Sequence, residues 1–209
     1  MSDNITIQWL GHSCFKLSCG GHTAVVDPYK EVTGYPKLKT SAGSAYKTHD
    51  HDDHGYLKAV KIIKEKGDSP FKVSTVKAFH DDKGGKLRGE TDIIIFEANG
   101  KKIVHLGDLG HLLNAKQLSA VKGCDVLLLP VGGFYTIDAG QAAETMKAVD
   151  PKITIPMHYR KNGRGYDVLA EPEEFLKHAG DRNVIISESD TYTVGDAPDG
   201  SIVVLAFKG

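Results

Sequence analysis

The sequence predicts an α/β chain in which two β-sheets pack face to face, with amphipathic helices covering them on the outside. Three observations lead there. Short strand-like segments fill the first half and read as antiparallel hairpins. The second half alternates helix and strand. The helical segments are apolar on one side, so each needs a sheet to cover. Residues 1–209 read as one domain, with no internal repeat, linker or low-complexity segment to divide them.

Residues 5–10 (ITIQWL) and 14–17 read as strands. Gly20-Gly21 turns the chain, and 23–27 (TAVVD) forms a third strand ending at Asp27-Pro28, which together make an antiparallel meander. Gly34, Pro36 and Gly43 make 29–43 a loop, and 44–48 reads as a short strand running into a histidine cluster. Leu57, Val60 and Ile63 recur at helical spacing, so a helix is expected from Tyr56 to Lys66, stopped by Gly67. Strands at 72–79 and 91–97 flank the polar, glycine-rich segment 81–89, and Asn99-Gly100 signals a hairpin into a strand at 102–106. A helix over 114–121, a buried strand at 126–129, a helix over 138–149 and a strand at 152–156 follow. A loop rich in Gly, Lys and Arg spans 160–166, a helix covers 172–178 after Pro172, and strands at 183–187, 191–194 and 202–206 finish the chain.

Composition narrows the function classes. The formal net charge of -1 lacks the basic excess of a nucleic-acid-binding domain, which favours a small-molecule partner. Cys14, Cys19 and Cys124 are too few and too scattered for a disulfide framework, and no C-x-x-C pair is present, so free thiols in a reducing compartment are expected. The opening MSDNITIQWL has no basic region followed by an apolar one, and no apolar run is long enough to span a bilayer. A cytoplasmic protein without a membrane partner is the expectation, with a homo-oligomer left open.

The chemistry concentrates in Thr48-His49-Asp50-His51-Asp52-Asp53-His54-Gly55. Imidazoles and carboxylates packed this closely need something to bind. A divalent cation gives neutral ring nitrogens a partner, and a carboxylate offsets its charge. Just after a strand, His49 and His51 project to one side because side chains alternate, and a turn then brings Asp53 and His54 from another direction. One segment can thus feed two adjacent cations. Further ligands belong at strand ends: His80 after KVSTVKAF, Asp108 after IVHLG with Gly107 and Gly110 permitting close backbone approach, and His158 after ITIPM. Any one of these taken alone is an ordinary polar residue at the end of a strand; their joint occurrence with the cluster is the signal.

With GHS at 11–13, DP at 27–28, THDHDDHG at 48–55, AFHDD at 78–82, HLGDLGH at 105–111, LLLPVGG at 127–133 and IPMHY at 155–159, the chain resembles the metallo-β-lactamase superfamily over nearly its whole length. It is most similar to the small stand-alone metal-dependent hydrolases that include the ascorbate-phosphate lactonases. The resemblance implies a four-layer αββα sandwich with mixed, largely antiparallel sheets and the site at one edge between them. It implies that His49, His51 and His80 hold one metal, that Asp53, His54 and His158 hold a second, and that Asp108 bridges them. Two divalent ions, zinc or alternatively manganese, would share a water and lower its pKa, making a hydroxide nucleophile that cleaves an ester, lactone or phosphate ester. Asp53 and Asp108 are the catalytic pair in this reading, with Asp53 steering the hydroxide and accepting its proton. Relatives of this fold that bind two irons for redox chemistry put a carboxylate where His51 stands, and nucleases of the superfamily carry an added domain or basic arm that this chain lacks.

Around the metals, His12, His105 and His111 read as residues that orient ligands or merely pack, and Asp27 as a hydrogen-bond partner of a ligand histidine. Asp50 and Asp52 read as solvated or supporting. Lys83, Lys86 and Arg88 after His80, and Arg160, Lys161 and Arg164 after His158, are expected to open near the metals and clamp an anionic group such as a phosphate. Tyr135 and Tyr159 are expected to add hydroxyls or stacking to the substrate site.

Overall fold

The computed structural model describes residues 4–209; the first three, part of the opening segment read above as lacking a leader, lie outside the described residues. In chain order the strands are β1 (Thr6–Gly11), β2 (Cys14–Cys19), β3 (His22–Val26), β4 (Thr40–Ala42), β5 (Ser44–Tyr46), β6 (Val60–Ile62), β7 (Lys72–Phe79), β8 (Glu90–Ala98), β9 (Lys101–His105), β10 (Val126–Pro130), β11 (Ile153–Met157), β12 (Val184–Ile186), β13 (Thr191–Thr193) and β14 (Ser201–Val204). The helices are α1 (Ala115–Val121), α2 (Ala139–Val149) and α3 (Pro172–Lys177). Among the described residues, no helix is long and apolar enough to cross a membrane.

The expected meander forms, and β13 and β5 extend it to a five-stranded sheet ordered β13-β1-β2-β3-β5. The second sheet has seven strands ordered β12-β14-β11-β10-β9-β8-β7. Phe15, Leu17 and Val26 from the first sheet meet Ile93, Ile103 and Leu127 from the second in one continuous core. Full burial of each such side chain is worth about 1.5–3 kcal/mol. β10 and β11 are buried at every position, as strands covered on both faces must be, which is why they read as unbroken apolar runs.

The sheets are mixed, but less antiparallel than expected. β7, β8 and β9 pair antiparallel, whereas β9, β10, β11, β14 and β12 run parallel. Crossovers through α1 and α2 return the chain to the same edge, so the strand after each helix points the same way as the one before. Both helices begin with a reciprocal cap, Asn114 with Gln117 and Asp138 with Gln141.

The helix expected over 56–66 does not form. A 3-10 turn at Leu57–Ala59 leads into β6, which pairs with β4 inside the segment read as a loop. Tyr56 offers no side-chain cap, and of the three periodic residues only Val60 is buried; Leu57 and Ile63 face solvent. Apolar spacing without a surface to cover does not hold a helix. The outer side of the five-stranded sheet is consequently covered by Tyr29, Val32, Ala42 and Val60, which pack on Cys14 and Val25 from loop and ribbon. Among the described residues, the α-helices lie elsewhere, with α1 on β7, α2 on β10 and α3 against α2.

Strand direction sets the site. β7, β9, β10 and β11 point the same way in one sheet, as do β1, β3 and β5 in the other. The segments that follow their C-terminal ends carry His80, Asp108, Gly132, His158, His12, Asp27 and the 48–54 cluster, so every candidate ligand emerges at a strand end.

Candidate metal centre

Backbone geometry marks this edge first. His12, Asp27 and His158 adopt left-handed conformations with φ of 53°, 50° and 53°. For residues with a Cβ this costs on the order of 1–3 kcal/mol, and it persists only where surroundings enforce it. Close packing supplies the enforcement. A Cβ on Gly110 would lie 2.3 Å from the Asp81 amide nitrogen, and one on Gly132 would lie 2.1 Å from the His158 carbonyl oxygen. Main-chain segments therefore touch where side chains must converge.

Asp108 stands at the centre and is almost fully buried. Its Oδ2 lies 3.1 Å from His80 Nε2, 3.2 Å from His158 Nε2 and 4.0 Å from His49 Nε2, while Oδ1 lies 3.1 Å from His54 Nε2. On one side the ring nitrogens of His49, His51 and His80 gather within 4.8 Å of one another, with His49 Nε2 only 3.0 Å from His51 Nδ1. On the other side His12, Asp53, His54 and His158 gather equally closely. Asp53 Oδ2 is 3.4 Å from His12 Nε2 and 3.7 Å from His54 Nε2. The structure thus brings together His49, His51, Asp53, His54, His80, Asp108 and His158.

Supporting groups aim the rings. Asp27, fully buried, accepts from the Thr48 amide at 2.7 Å and the Thr48 hydroxyl at 2.8 Å, and its Oδ2 meets His54 Nδ1 at 2.8 Å. Thr48 Oγ1 lies 2.9 Å from His49 Nδ1. The Tyr135 carbonyl lies 3.1 Å from His80 Nδ1. In His49, His54 and His80 the outward nitrogen is occupied, so Nε2 is left to face the centre, the arrangement of metal-binding imidazoles.

The electrostatics fit the same use. Burial, with neighbouring imidazoles, lowers His12 and His49 to about 4, so both are neutral donors at pH 7. Burial opposes charge on Asp108, yet His158 and His54 hold its carboxyl well below the usual range. Burial likewise works against protonated His54, but Asp108 and Asp27 push it upward. His54 Nε2, both ring nitrogens of His12 and His158, and Asp108 Oδ1 are buried with no hydrogen-bond partner. Orphaned nitrogen and oxygen lone pairs aimed at common points are what divalent cations satisfy, and this donor set fits two of them.

A cavity of about 480 Å³ opens over the centre, lined by His51, Asp53, His80, Leu87, Arg88, Asp108, Tyr135 and Tyr166. Arg88 lies 5.8 Å over the Tyr135 ring and donates to the Phe134 carbonyl. Tyr166, which sequence reasoning passed over, lines the cavity with Asp53; burial and that carboxylate push its pKa up. Asp81 was also missed. Both its oxygens accept amides, from Lys83 and Gly85 on one and Leu87 and Arg88 on the other, and these build the loop that presents Arg88.

The remaining expected contacts lie elsewhere. Lys86 is exposed outside the cavity lining, and Lys83 pairs with Asp82. Tyr159 is buried, its ring 5.5 Å from Trp9, beside a separate cavity of about 250 Å³ that none of the metal donors lines. Arg160 approaches Glu171 at 3.8 Å, Lys161 pairs with Glu173, and Arg164 stacks over Phe207. The loop after His158 therefore turns its charges away from the candidate donors. His105 bonds the Ser13 carbonyl and accepts the Gly107 amide, which fixes the turn before Asp108; His111 accepts the Phe79 amide. Asp50 and Asp52 pair with Lys47 and Lys30 in solvent.

Known proteins resemble this chain in sequence and fold. The profile of the beta-lactamase superfamily domain matches residues 6–158. A UPF0173 metal-dependent hydrolase of Thermoplasma acidophilum is 29% identical over 212 residues, covering 85% of this chain and 92% of its own. A crystal structure from Thermotoga maritima, described as a candidate Zn-dependent hydrolase of the metallo-β-lactamase superfamily, superposes with a TM-score of 0.73 at 31% identity, over 96% of this chain and 98% of its own. A candidate metal-dependent hydrolase from Parabacteroides distasonis shares the fold with a TM-score of 0.66 at 22% identity, over 85% and 89% of the two chains.

Proposed function

This chain belongs to the beta-lactamase superfamily, in its branch of metal-dependent hydrolases, and from that premise we propose that it holds two divalent cations and hydrolyses an ester, lactone or phosphate ester of a small anionic molecule. The observation that carries this reading is the position of Asp108, whose carboxylate lies 3.1 Å from His80 of one donor set and 3.1 and 3.2 Å from His54 and His158 of the other. Histidine and carboxylate donors suit zinc, with manganese as the alternative.

His49, His51 and His80 would hold one ion, Asp53, His54 and His158 the other, and Asp108 would touch both. When bound, the pair supplies Lewis-acid activation of a water and of the scissile oxygen. The chain's own groups do the rest. The Asp53 carboxylate, partly open to the cavity, takes the proton of the attacking water. The water oxygen bonds to the acyl or phosphoryl centre, the bond from that centre to the leaving oxygen breaks, and the proton held by Asp53 passes to that oxygen, which leaves as the alcohol. Tyr166 borders Asp53 in the cavity, and Arg88 with Tyr135 holds the anionic end of the substrate against the wall made by Leu87. The cavity volume suits a small molecule rather than a polymer.

The test is a screen of lactones and phosphate esters with metal-stripped protein to which zinc or manganese is added. Turnover that depends on added metal is expected. Stoichiometric iron with oxygen consumption, or no metal-dependent turnover of any member of either class, would overturn the proposal.

A further inference from the structure

We propose that His12 is an additional nitrogen donor on the Asp53–His54–His158 side, so that the two cation positions are unequal: an enclosed one that retains its ion, and an open one at His49, His51 and His80 that exchanges it. This inference rests on the two-cation reading above and adds a ranking that the seven-residue ligand set does not contain.

His12 is fully buried, and neither ring nitrogen has a hydrogen-bond partner. A histidine kept for packing would turn one nitrogen to a carbonyl, as His105 does toward Ser13. His12 instead lies with its ring centroid 4.2 Å from that of His158 and 5.5 Å from that of His54. A donor atom of His12 lies within 4.8 Å of donor atoms on Asp53, His54 and His158. Asp53 Oδ2 stands 3.4 Å from His12 Nε2 and belongs to the same donor group, so it faces a shared centre with the ring.

The backbone is built to hold this ring in place. His12 is left-handed, and Gly11 before it has φ of 108° with the Tyr35 ring where a Cβ would stand. Trp9 Nε1 donates to the His12 carbonyl at 2.9 Å, and the His158 amide reaches the same oxygen from the other sheet. The backbone at His12 and the backbone at His158 are thus tied to each other across the sandwich. A fixed donor loses little freedom on binding, which favours retention of the ion.

The opposite set is three imidazoles against the four donors that include His12, and although Thr48 and Tyr135 hold the His49 and His80 rings, His51 is exposed at the cavity mouth. An ion there has a route to solvent and fewer protein donors.

The experiment titrates metal-stripped full chain with Zn²⁺ against a chelator of known affinity and compares wild type with His12→Phe, which keeps a ring but has no donor. Wild type should take up Zn²⁺ in two steps of different affinity. His12→Phe should weaken the tighter step at least roughly tenfold and leave the weaker one unchanged, while His51→Ala should do the reverse. Thermal melts of the metal-free proteins show whether each variant folds. Wild-type chain labelled with ¹⁵N-histidine and loaded with ¹¹³Cd²⁺ needs no variant, and a cadmium–nitrogen coupling at His12 is expected. Two steps of equal affinity in wild type, unchanged steps in folded His12→Phe, or uncoupled His12 nitrogens would overturn this inference alone. No uptake of any divalent ion would overturn the two-cation reading as well.

Discussion

Replacing Asp27 by asparagine tests how the centre is aimed without touching a proposed ligand. The carboxylate is fully buried and holds the Thr48 amide at 2.7 Å, the Thr48 hydroxyl at 2.8 Å and His54 Nδ1 at 2.8 Å. Asparagine keeps one acceptor but sets an NH₂ where Oδ2 stood. Facing that donor, His54 Nδ1 must accept, so its proton moves to Nε2, the nitrogen that faces Asp108 at 3.1 Å. His54 then loses the lone pair it would offer a cation. Loss of such an orienting partner typically weakens metal binding 10- to 100-fold, or about 1.4–2.7 kcal/mol. Folding should suffer separately. A buried partner left unsatisfied costs about 1–3 kcal/mol, and here the Thr48 hydroxyl is exposed to that loss. Zn²⁺ competition titration reads the first effect, and urea unfolding of metal-free protein reads the second. Wild-type Zn²⁺ affinity in a folded Asp27→Asn protein would refute the claim that Asp27 sets the His54 tautomer.

Other perturbations separate the parts of the site. Asp108→Ala should reduce bound metal and abolish turnover while the circular dichroism spectrum stays native; full metal content with near-normal rate would count against its central place. Gly132→Ala should destabilise the protein and lower metal content together, because its Cβ would stand 2.1 Å from the His158 carbonyl oxygen; an unchanged melting temperature would mean that the segment shifts freely. Arg88→Ala should raise KM for anionic substrates roughly tenfold or more with a smaller change in kcat, and should leave neutral esters unaffected. Asp81 provides a pH test. Burial opposes its charge, but amides from Arg88, Lys83, Leu87 and Gly85 hold its carboxyl at about 2, below the ordinary 3.8. A depressed carboxyl contributes stability above its unfolded value and loses it as pH falls through the folded value. Hydrogen-exchange protection of those amides should therefore persist at pH 5 and fade toward pH 2. Asp81→Ala should lack it at every pH, and protected amides in that variant would remove Asp81 from the role.

Why the candidate donors were legible, and several neighbours were not, follows from side-chain direction. A ligand set leaves its mark in residue type: His49, His51, Asp53 and His54 crowd into one turn, and His80, Asp108 and His158 end apolar runs. Asp27 could be read the same way, from its place at a strand end. Tyr159 and Arg160 were linked to the substrate only by adjacency to His158, yet neighbouring residues point to opposite sides, and Tyr159 turns into the core against Trp9. Tyr166 arrives from a loop whose path depends on tertiary contacts, including the Gly165 amide bonded to the Thr33 carbonyl, and no local pattern reports it. The segment 56–66 misled because helical spacing and a stop at Gly67 stood there without an N-terminal cap. The capping boxes at Asn114 and Asp138 were readable signals for real helices, and Tyr56 offers nothing comparable. β4 and β6 are three residues each and exist only because they pair with one another.

The central claim is that Asp108 lies between two bound cations. Crystals of the chain soaked in Zn²⁺, with anomalous data collected on both sides of the zinc edge, test it most directly. Two anomalous peaks are predicted, one among His49, His51 and His80 and the other among His12, Asp53, His54 and His158, each beside an Asp108 oxygen. A single peak, or peaks away from Asp108, would contradict it.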